Sequence, residues 1–202
     1  MKKQKGIWIP EKDTWYGWSE NFESREYKKL QLGGNLCLDI GAHVGIWTKR
    51  LSRDFFQVLC FEPLQKHIEC HKKNCEDLNN VTLYEYALSD VETDSIMTTR
   101  DYNSGMSTLL EQKFKNKDTN TVIVKTKTLD SFNLPKIDFI KIDVEGYEAQ
   151  VLSGAKETII KWKPKIYIEI WEKNVNVISK ILDEMGYSVT KMSGLNYLAL
   201  IK

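Results

Sequence analysis

Apolar positions along the chain fall into short continuous runs separated by stretches of helical spacing, and this alternation predicts an α/β protein. The first run, Leu36, Cys37, Leu38 and Ile40, has the density of a strand buried on both faces. A helix near 44–53 follows, then a strand over 57–62, a helix over about 65–78 and a third strand over 81–87. Between 88 and 134 the pattern is less regular, although 95–99 and 121–128 are β-rich and predict a side hairpin around a polar loop. A fourth strand (137–143), a helix (147–161), a fifth strand (165–171) and a helix (174–185) complete the alternation. The end of the chain differs, because 187–191 and 197–201 pattern as a hairpin joined through Ser193-Gly-Leu-Asn196. The expected fold is a mostly parallel sheet with helices on both faces and an antiparallel last strand.

Residues 1–34 stand apart from this rhythm as an aromatic-rich arm carrying Trp8, Trp15, Tyr16, Trp18, Phe22 and Tyr27. A helix over 19–30, stopped by Gly33-Gly34, is predicted there. Packing over the core is favoured over direct contact with a substrate. The remaining 35–202 reads as the working part of what is otherwise one domain, as the length of 202 residues suggests.

Composition narrows the partners. Lys+Arg 29 against Asp+Glu 28 leaves a net charge of +1, which gives no push toward nucleic acid or an anionic membrane. No apolar run approaches the roughly 20 residues of a membrane span. The basic Met1-Lys-Lys-Gln-Lys start lacks the apolar stretch of an export signal. Cys37, Cys60, Cys70 and Cys75 form no CxxC pair, so free thiols in a reducing compartment, and hence the cytoplasm, are expected.

The chemistry concentrates where strands end. Asp39-Ile-Gly-Ala-His-Val-Gly45 closes the first strand with glycines that let the backbone turn sharply beside a ligand. The helix behind it offers free N–H groups. Only Gly41 and Gly45 are present, so the spacing is not the dinucleotide Gly-x-Gly-x-x-Gly. An acidic residue before the turn suits a cofactor with a cationic amino-acid end, such as S-adenosylmethionine. Glu62 ends the second strand 23 positions after Asp39, near the spacing at which an acid meets ribose hydroxyls, with a solvated strand end as the plainer alternative.

Lys141 and Asp143 share one face of the fourth strand, either as a structural pair or as part of a site at its carboxyl end. Glu145 and Glu148 follow directly, and Glu169 lies on the same rim. His43 either touches the cofactor or merely occupies the turn. His67-x-x-x-His71 with Cys70 and Cys75 has ligand-like spacing, but no further pair completes it and Lys66, Lys72 and Lys73 suggest a solvated helix, so no metal is expected.

Together these stretches resemble the FkbM-like family of S-adenosylmethionine-dependent methyltransferases. The matching pieces are Asp39-Ile-Gly-Ala-His-Val-Gly45, Phe61-Glu-Pro63, Ala87-Leu-Ser-Asp90, Gly105-Met-Ser-Thr-Leu109, Thr128-Leu-Asp130, Asp138-Phe-Ile-Lys-Ile-Asp-Val-Glu-Gly-Tyr-Glu148, Val151-Leu-Ser-Gly-Ala155 and Ile168-Glu-Ile170. The resemblance implies a class I methyltransferase fold, Rossmann-like and seven-stranded, and transfer of a methyl group to a hydroxyl oxygen. It implies that Asp39, Gly41 and Gly45 shape the methionine end of the pocket, that Glu62 holds the ribose and that Ala87-Leu88 lines the adenine slot. Ala42, His43 and Pro63 join the expected cofactor contacts, and Asp143 lies near the transferred methyl. His43 stands where the family often has Asn. As proton acceptor Asp143 comes first and Glu169 or Glu145 second, with Lys141 orienting Asp143.

The expected acceptor is a hydroxyl on a sugar, glycan or small metabolite. An amino-methylating enzyme would show Asp/Asn-Pro-Pro-aromatic where this chain has Asp143-Val-Glu-Gly146, and a carbon-methylating one would need a cysteine there. The alternatives are a cofactor-binding scaffold or sensor without catalysis and, less favoured, a nicotinamide-dependent oxidoreductase.

Overall fold

The computed structural model describes residues 1–13, 26–100, 104–110 and 119–202. Trp15, Tyr16, Trp18 and Phe22 lie outside the described residues; of the helix expected over 19–30, residues 26–30 are described, with 26–29 helical and Leu30 in a turn. The start of the arm is a small antiparallel pair, β1 (Lys2–Gln4) and β2 (Ile7–Ile9).

The alternation then unfolds as β3 (Gly34–Ile40), α1 (Ile46–Asp54), β4 (Phe55–Phe61), α2 (Gln65–Asn74) and β5 (Val81–Tyr84). After a side sheet come β9 (Phe139–Ile142), α3 (Glu148–Ser153), α4 (Lys156–Trp162), β10 (Lys165–Glu169) and α5 (Val175–Glu184). The closing hairpin is β11 (Tyr187–Ser193) and β12 (Asn196–Ile201). These strands form one seven-stranded sheet in the order β11-β12-β10-β9-β3-β4-β5. From β10 to β5 all neighbours are parallel, and β12 inserts antiparallel beside β10. This is the sheet of a class I methyltransferase, with the antiparallel last strand that the terminal hairpin predicted.

Strand alternation divides the core in two. Leu36, Leu38 and Ile40 point with Leu59, Phe61, Ile140 and Ile142 toward Val151, Leu152, Ile159, Ile178 and Leu182 of the helices α3–α5. Cys37, Val58, Cys60, Phe139 and Tyr167 point the other way and meet Trp47 and Leu51 of α1. Each such buried Leu, Ile or Phe contributes about 1.5–3 kcal/mol, so apolar burial on both faces fixes the sheet.

Several predicted elements came out shorter or divided: the fourth strand keeps only Phe139–Ile142, with Asp143 just past its end, and the fifth only Lys165–Glu169. The third strand ends at Tyr84, and Ala87–Leu88 becomes a separate strand, β6, in a side sheet of order β6-β8-β7 with β7 (Asp94–Arg100) and β8 (Thr119–Lys127). β5 is the edge of the main sheet, and Ala87 and Leu88 gain their burial by pairing in parallel with Thr126 and Lys127 instead. β7 and β8 form the expected antiparallel hairpin.

The helix over 147–161 breaks at Gly154, where a Cβ would stand 1.9 Å from the carbonyl oxygen of Ser89. The Asp130 carboxylate accepts the N–H groups of Glu157 (3.1 Å) and Thr158 (2.8 Å), which starts the second piece. α2 stops at Asn74, whose amide is drawn off to bond the backbone of Trp8 and the Val44 carbonyl, tying the N-terminal pair onto this helix.

Candidate active site

Register brings the site together. Asp39 lies opposite Lys141 in one direction and Cys60 in the other, and Lys141 lies opposite Tyr167. These residues share the face that meets α1, and one pleat further toward the carboxyl rim the same face carries Glu62, Asp143 and Glu169. The turn after β3 touches the turn after β9 directly. Gly41 sits at φ +77°, and a Cβ there would stand 1.9 Å from the Asp143 carbonyl oxygen. Backbone bonds seal the crossing, with the Gly41 and Ala42 N–H groups donating to Phe61 O and Asp143 N–H donating to Ile40 O.

Lys141 is the hub. Only 4% exposed, its ammonium donates to the Gly41 carbonyl at 3.1 Å and lies 3.6 Å from Asp39 Oδ1 and 3.4 Å from Asp143 Oδ2. Burial opposes its charge, but the carboxylates of Asp143, Asp39 and Glu169 outweigh burial and hold it above the usual lysine value. Asp39 is fully buried beneath it, and its Oδ2 accepts the Thr48 hydroxyl at 2.7 Å. With that hydrogen committed, His71 Nε2, 3.0 Å from the same hydroxyl, is the donor in turn.

Asp143, Glu145 and Glu169 offer carboxylate oxygens within 4.8 Å of one another. Burial and the neighbouring Asp143 charge push Glu145 up to about 9 and Glu169 up to about 7. Glu145 adopts φ +56°, an uncommon conformation for a side-chain-bearing residue. Next to it, Glu148 accepts the Gly146 N–H at 2.9 Å and holds the turn.

Glu62 is also buried, and burial alone would raise its pKa. His67 beside it, with hydrogen bonds from His67 and from the N–H groups of Leu64 and His43, lowers it below the ordinary carboxylate value instead. Burial, reinforced by His67 and Lys141, depresses His43 well below the usual histidine value, so its ring is neutral.

Between these groups lies a cavity of about 300 Å³. Its floor is the Gly41–Ala42–His43 turn, and Glu62, Pro63, Ala87 and Leu88 form one side. Lys141, Asp143, Glu145 and Glu169 form the other. Two of the residues predicted for the pocket do not line it. Asp39 is covered by Lys141 and Thr48, and Gly45 is set back at the start of α1, where Ile46 and Trp47 reach the wall instead.

The sequence reading missed Tyr147 and Val144, and it did not foresee Met97, Met106 and Leu109, which the Thr98–Thr108 bridge folds over the cavity. It also took α2 for a solvated helix. His67 and His71 are 2% and 1% exposed, and they do not converge on one ligand: His67 turns to Glu62 and His71 to Thr48. The signal was present in the inward stripe His67, Ile68, Cys70, His71, from which Lys66, Lys72 and Lys73 point away.

With this geometry in place, comparison with known proteins identifies the class. The family model described as "Methyltransferase FkbM domain" matches residues 39–189, and the chain belongs to that family. Methyltransferase 1 of Beauveria bassiana is 25% identical over 176 residues, covering 75% of this chain and 66% of the relative. The 2-O-methyltransferase NoeI of Sinorhizobium fredii is 29% identical over 148 residues, covering 62% of this chain and 59% of the relative. Among solved structures, the methyltransferase FkbM of Methylobacillus flagellatus KT superposes with a TM-score of 0.60 at 18% identity, covering 89% of this chain and 46% of that one. The chain thus spans between about half and two thirds of these proteins' lengths. The cofactor of a methyltransferase of this family and fold is S-adenosylmethionine. The cavity fits such a group, with a close-packed glycine turn, a carboxylate at Glu62 and a second acidic wall.

Proposed function

We propose that this chain transfers a methyl group from S-adenosylmethionine to a hydroxyl oxygen of a sugar or another small acceptor. The observation that carries the reading is the second acidic wall: Glu169, pushed up to about 7 beside Asp143 and Lys141, faces the cavity at the carboxyl rim of the sheet. A bound sulfonium supplies an already activated methyl group. The residues then have two tasks, to align the acceptor oxygen with it and to take the hydroxyl proton as the new bond forms.

A group with pKa near 7 is deprotonated often enough to accept that proton and basic enough to draw it off. Glu169 therefore takes the role of base, ahead of Asp143, which Lys141 holds in an ion pair at 3.4 Å. Glu145, pushed up to about 9, keeps its proton at neutral pH and spares the wall a third charge. Lys141 supplies the positive charge that a divalent cation would otherwise bring to three crowded carboxylates.

Oxygen as the target is supported by the 29% identity to a relative named a 2-O-methyltransferase, and by Asp143-Val-Glu-Gly146 in place of an amino-methylating signature. The balanced charge supports a small acceptor over nucleic acid. Among the described residues no helix is long and apolar enough to cross a membrane, and all four thiols are free and buried, which supports work in a reducing compartment.

The test is incubation with methyl-labelled S-adenosylmethionine and panels of saccharides, phenols, amines and carboxylic acids, with products read by mass spectrometry. The expected product is a methyl ether. Label found on nitrogen or carbon would overturn the assignment, and binding without transfer to any pool would favour a scaffold.

A further inference from the structure

Methyl transfer leaves the electron pair of the S–CH₃ bond on sulfur, so the cofactor arrives with a positive charge that the spent thioether lacks. Charge on the cavity wall therefore bears on which of the two forms the site retains. The described lining residues include four carboxyl groups, Glu62, Asp143, Glu145 and Glu169, against one lysine and no arginine. That lysine, Lys141, has three N–H donors, and three acceptors already surround it: the Gly41 carbonyl at 3.1 Å, Asp143 at 3.4 Å and Asp39 at 3.6 Å. Its charge is spent on the protein's own carboxylates. Around Glu169 stand Lys141 and Asp143, Glu145 in the turn after β9 and Glu148 of α3, while its register partner on β12 is the uncharged Asn196. On the opposite side of the cavity lies Glu62, with His67 at 3.1 Å from it, and the floor carries the neutral ring of His43. Burial and the Asp143 charge push Glu169 up to about 7, so its ionisation changes near neutral pH, whereas Glu145, pushed up to about 9, keeps its proton there.

A cation in this cavity meets an excess of negative charge, and a neutral ligand gains nothing from it. We propose that the acidic wall, through Glu169, selects the charge of the cofactor, so that the site holds the cationic methyl donor more tightly than the neutral S-adenosylhomocysteine it becomes. This rests on the cofactor reading above. The selection is tied to the chemistry. As base, Glu169 takes the hydroxyl proton in the step that leaves sulfur neutral, so the wall loses a negative charge as the cofactor loses its positive one. Once Glu169 returns that proton to water, the wall is anionic again and favours fresh donor over the spent cofactor. Glu169 is then a specificity residue for the donor as well as a base for the acceptor.

The test compares S-adenosylhomocysteine with sinefungin, which carries an ammonium group in place of the methylsulfonium and transfers nothing, by calorimetry in the wild type and in Glu169→Gln. An ionised wall favours the cation by about tenfold. The advantage of sinefungin over S-adenosylhomocysteine in the wild type therefore grows about sixfold between pH 5.5 and pH 7.5. A second readout needs no substitution. Titrations in buffers of different ionisation enthalpy show sinefungin expelling about half a proton at pH 6.5, and S-adenosylhomocysteine expelling none. In Glu169→Gln the advantage no longer varies with pH and the proton release is gone, while affinity for S-adenosylhomocysteine is unchanged. Equal binding of the two ligands by the wild type at pH 7.5, equal proton release, or a pH dependence that survives in Glu169→Gln overturns the proposal and leaves the cofactor reading intact. A wild type that binds neither ligand overturns both.

Discussion

Replacing Lys141 with Met keeps the length and most of the volume of the side chain and removes only the charge and the donor. The residue is 4% exposed and pairs with Asp39 at 3.6 Å and Asp143 at 3.4 Å. Losing one partner of a buried ion pair costs about 3–5 kcal/mol, because the other charges stay behind uncompensated. In a chain of this size that is a fall in Tm of roughly 10 °C. The loss also depends on pH. Lys141 itself has a raised pKa, so its contribution is complete below the ordinary lysine value and disappears only as pH rises through its elevated one, above the range of interest.

The carboxylates supply the dependence between pH 5 and 8. Glu169 and Glu145 are raised in the folded state, so their protonated forms favour folding below the unfolded value of 4.5, and that advantage is lost as pH rises through about 7 and about 9. Lys141 lowers both, and without it both rise further, which widens the window of loss. Urea unfolding of Lys141→Met should therefore show a deficit about 1–2 kcal/mol larger at pH 8 than at pH 5. A variant as stable as the wild type at pH 8, or one with equal deficits at the two pH values, would refute the argument that Lys141 works as a buried countercharge.

Three further outcomes are expected. Glu169→Gln should lower kcat by about 10²–10⁴ without altering affinity for S-adenosylhomocysteine, and the rise in rate expected of the wild type as pH passes through about 7 should be absent from the variant. Full turnover in Glu169→Gln would return the base to Asp143. Gly41→Ala should lose about 2–4 kcal/mol in urea unfolding, since its Cβ would collide with a backbone oxygen at 1.9 Å from a left-handed conformation; an unchanged midpoint would mean the two turns can separate freely. Exhaustive dialysis against a chelator should leave methyl transfer unchanged, because Lys141 already balances the acidic wall; activity lost to the chelator and restored by magnesium would place a cation among Asp143, Glu145 and Glu169.

Much of this architecture was legible in local pattern. Continuous apolar runs such as Leu36–Cys37–Leu38 mark strands buried on both faces, and the terminal hairpin signals the antiparallel strand. What local pattern could not give was where burial is completed by distant chain. The run through Ala87 looks like one strand, yet its last residues pair with Thr126 and Lys127, and no alternation within 81–87 records that partner. Gly154 breaks a helix because Ser89 passes beside it, which is equally non-local.

The site divides in the same way. Glycines at a strand end and acids at strand termini identify the cavity wall directly, and Lys141 and Asp143 announce themselves by being charged in an apolar strand. Asp39 carries the same kind of signal but does not line the cavity, because the long Lys141 side chain, level with it on the next strand, and Thr48 cover its carboxylate. His67 was hidden by the lysines around it. Only the helix's orientation on the sheet shows which of these polar residues face inward.

The most direct test of the central claim is calorimetric titration of the purified protein with S-adenosylhomocysteine, with NAD as the control ligand. The account predicts saturable binding of S-adenosylhomocysteine, weakened by Glu62→Ala, and none of NAD. Binding of NAD alone, or of neither ligand, would contradict the assignment of this cavity to the methyl donor.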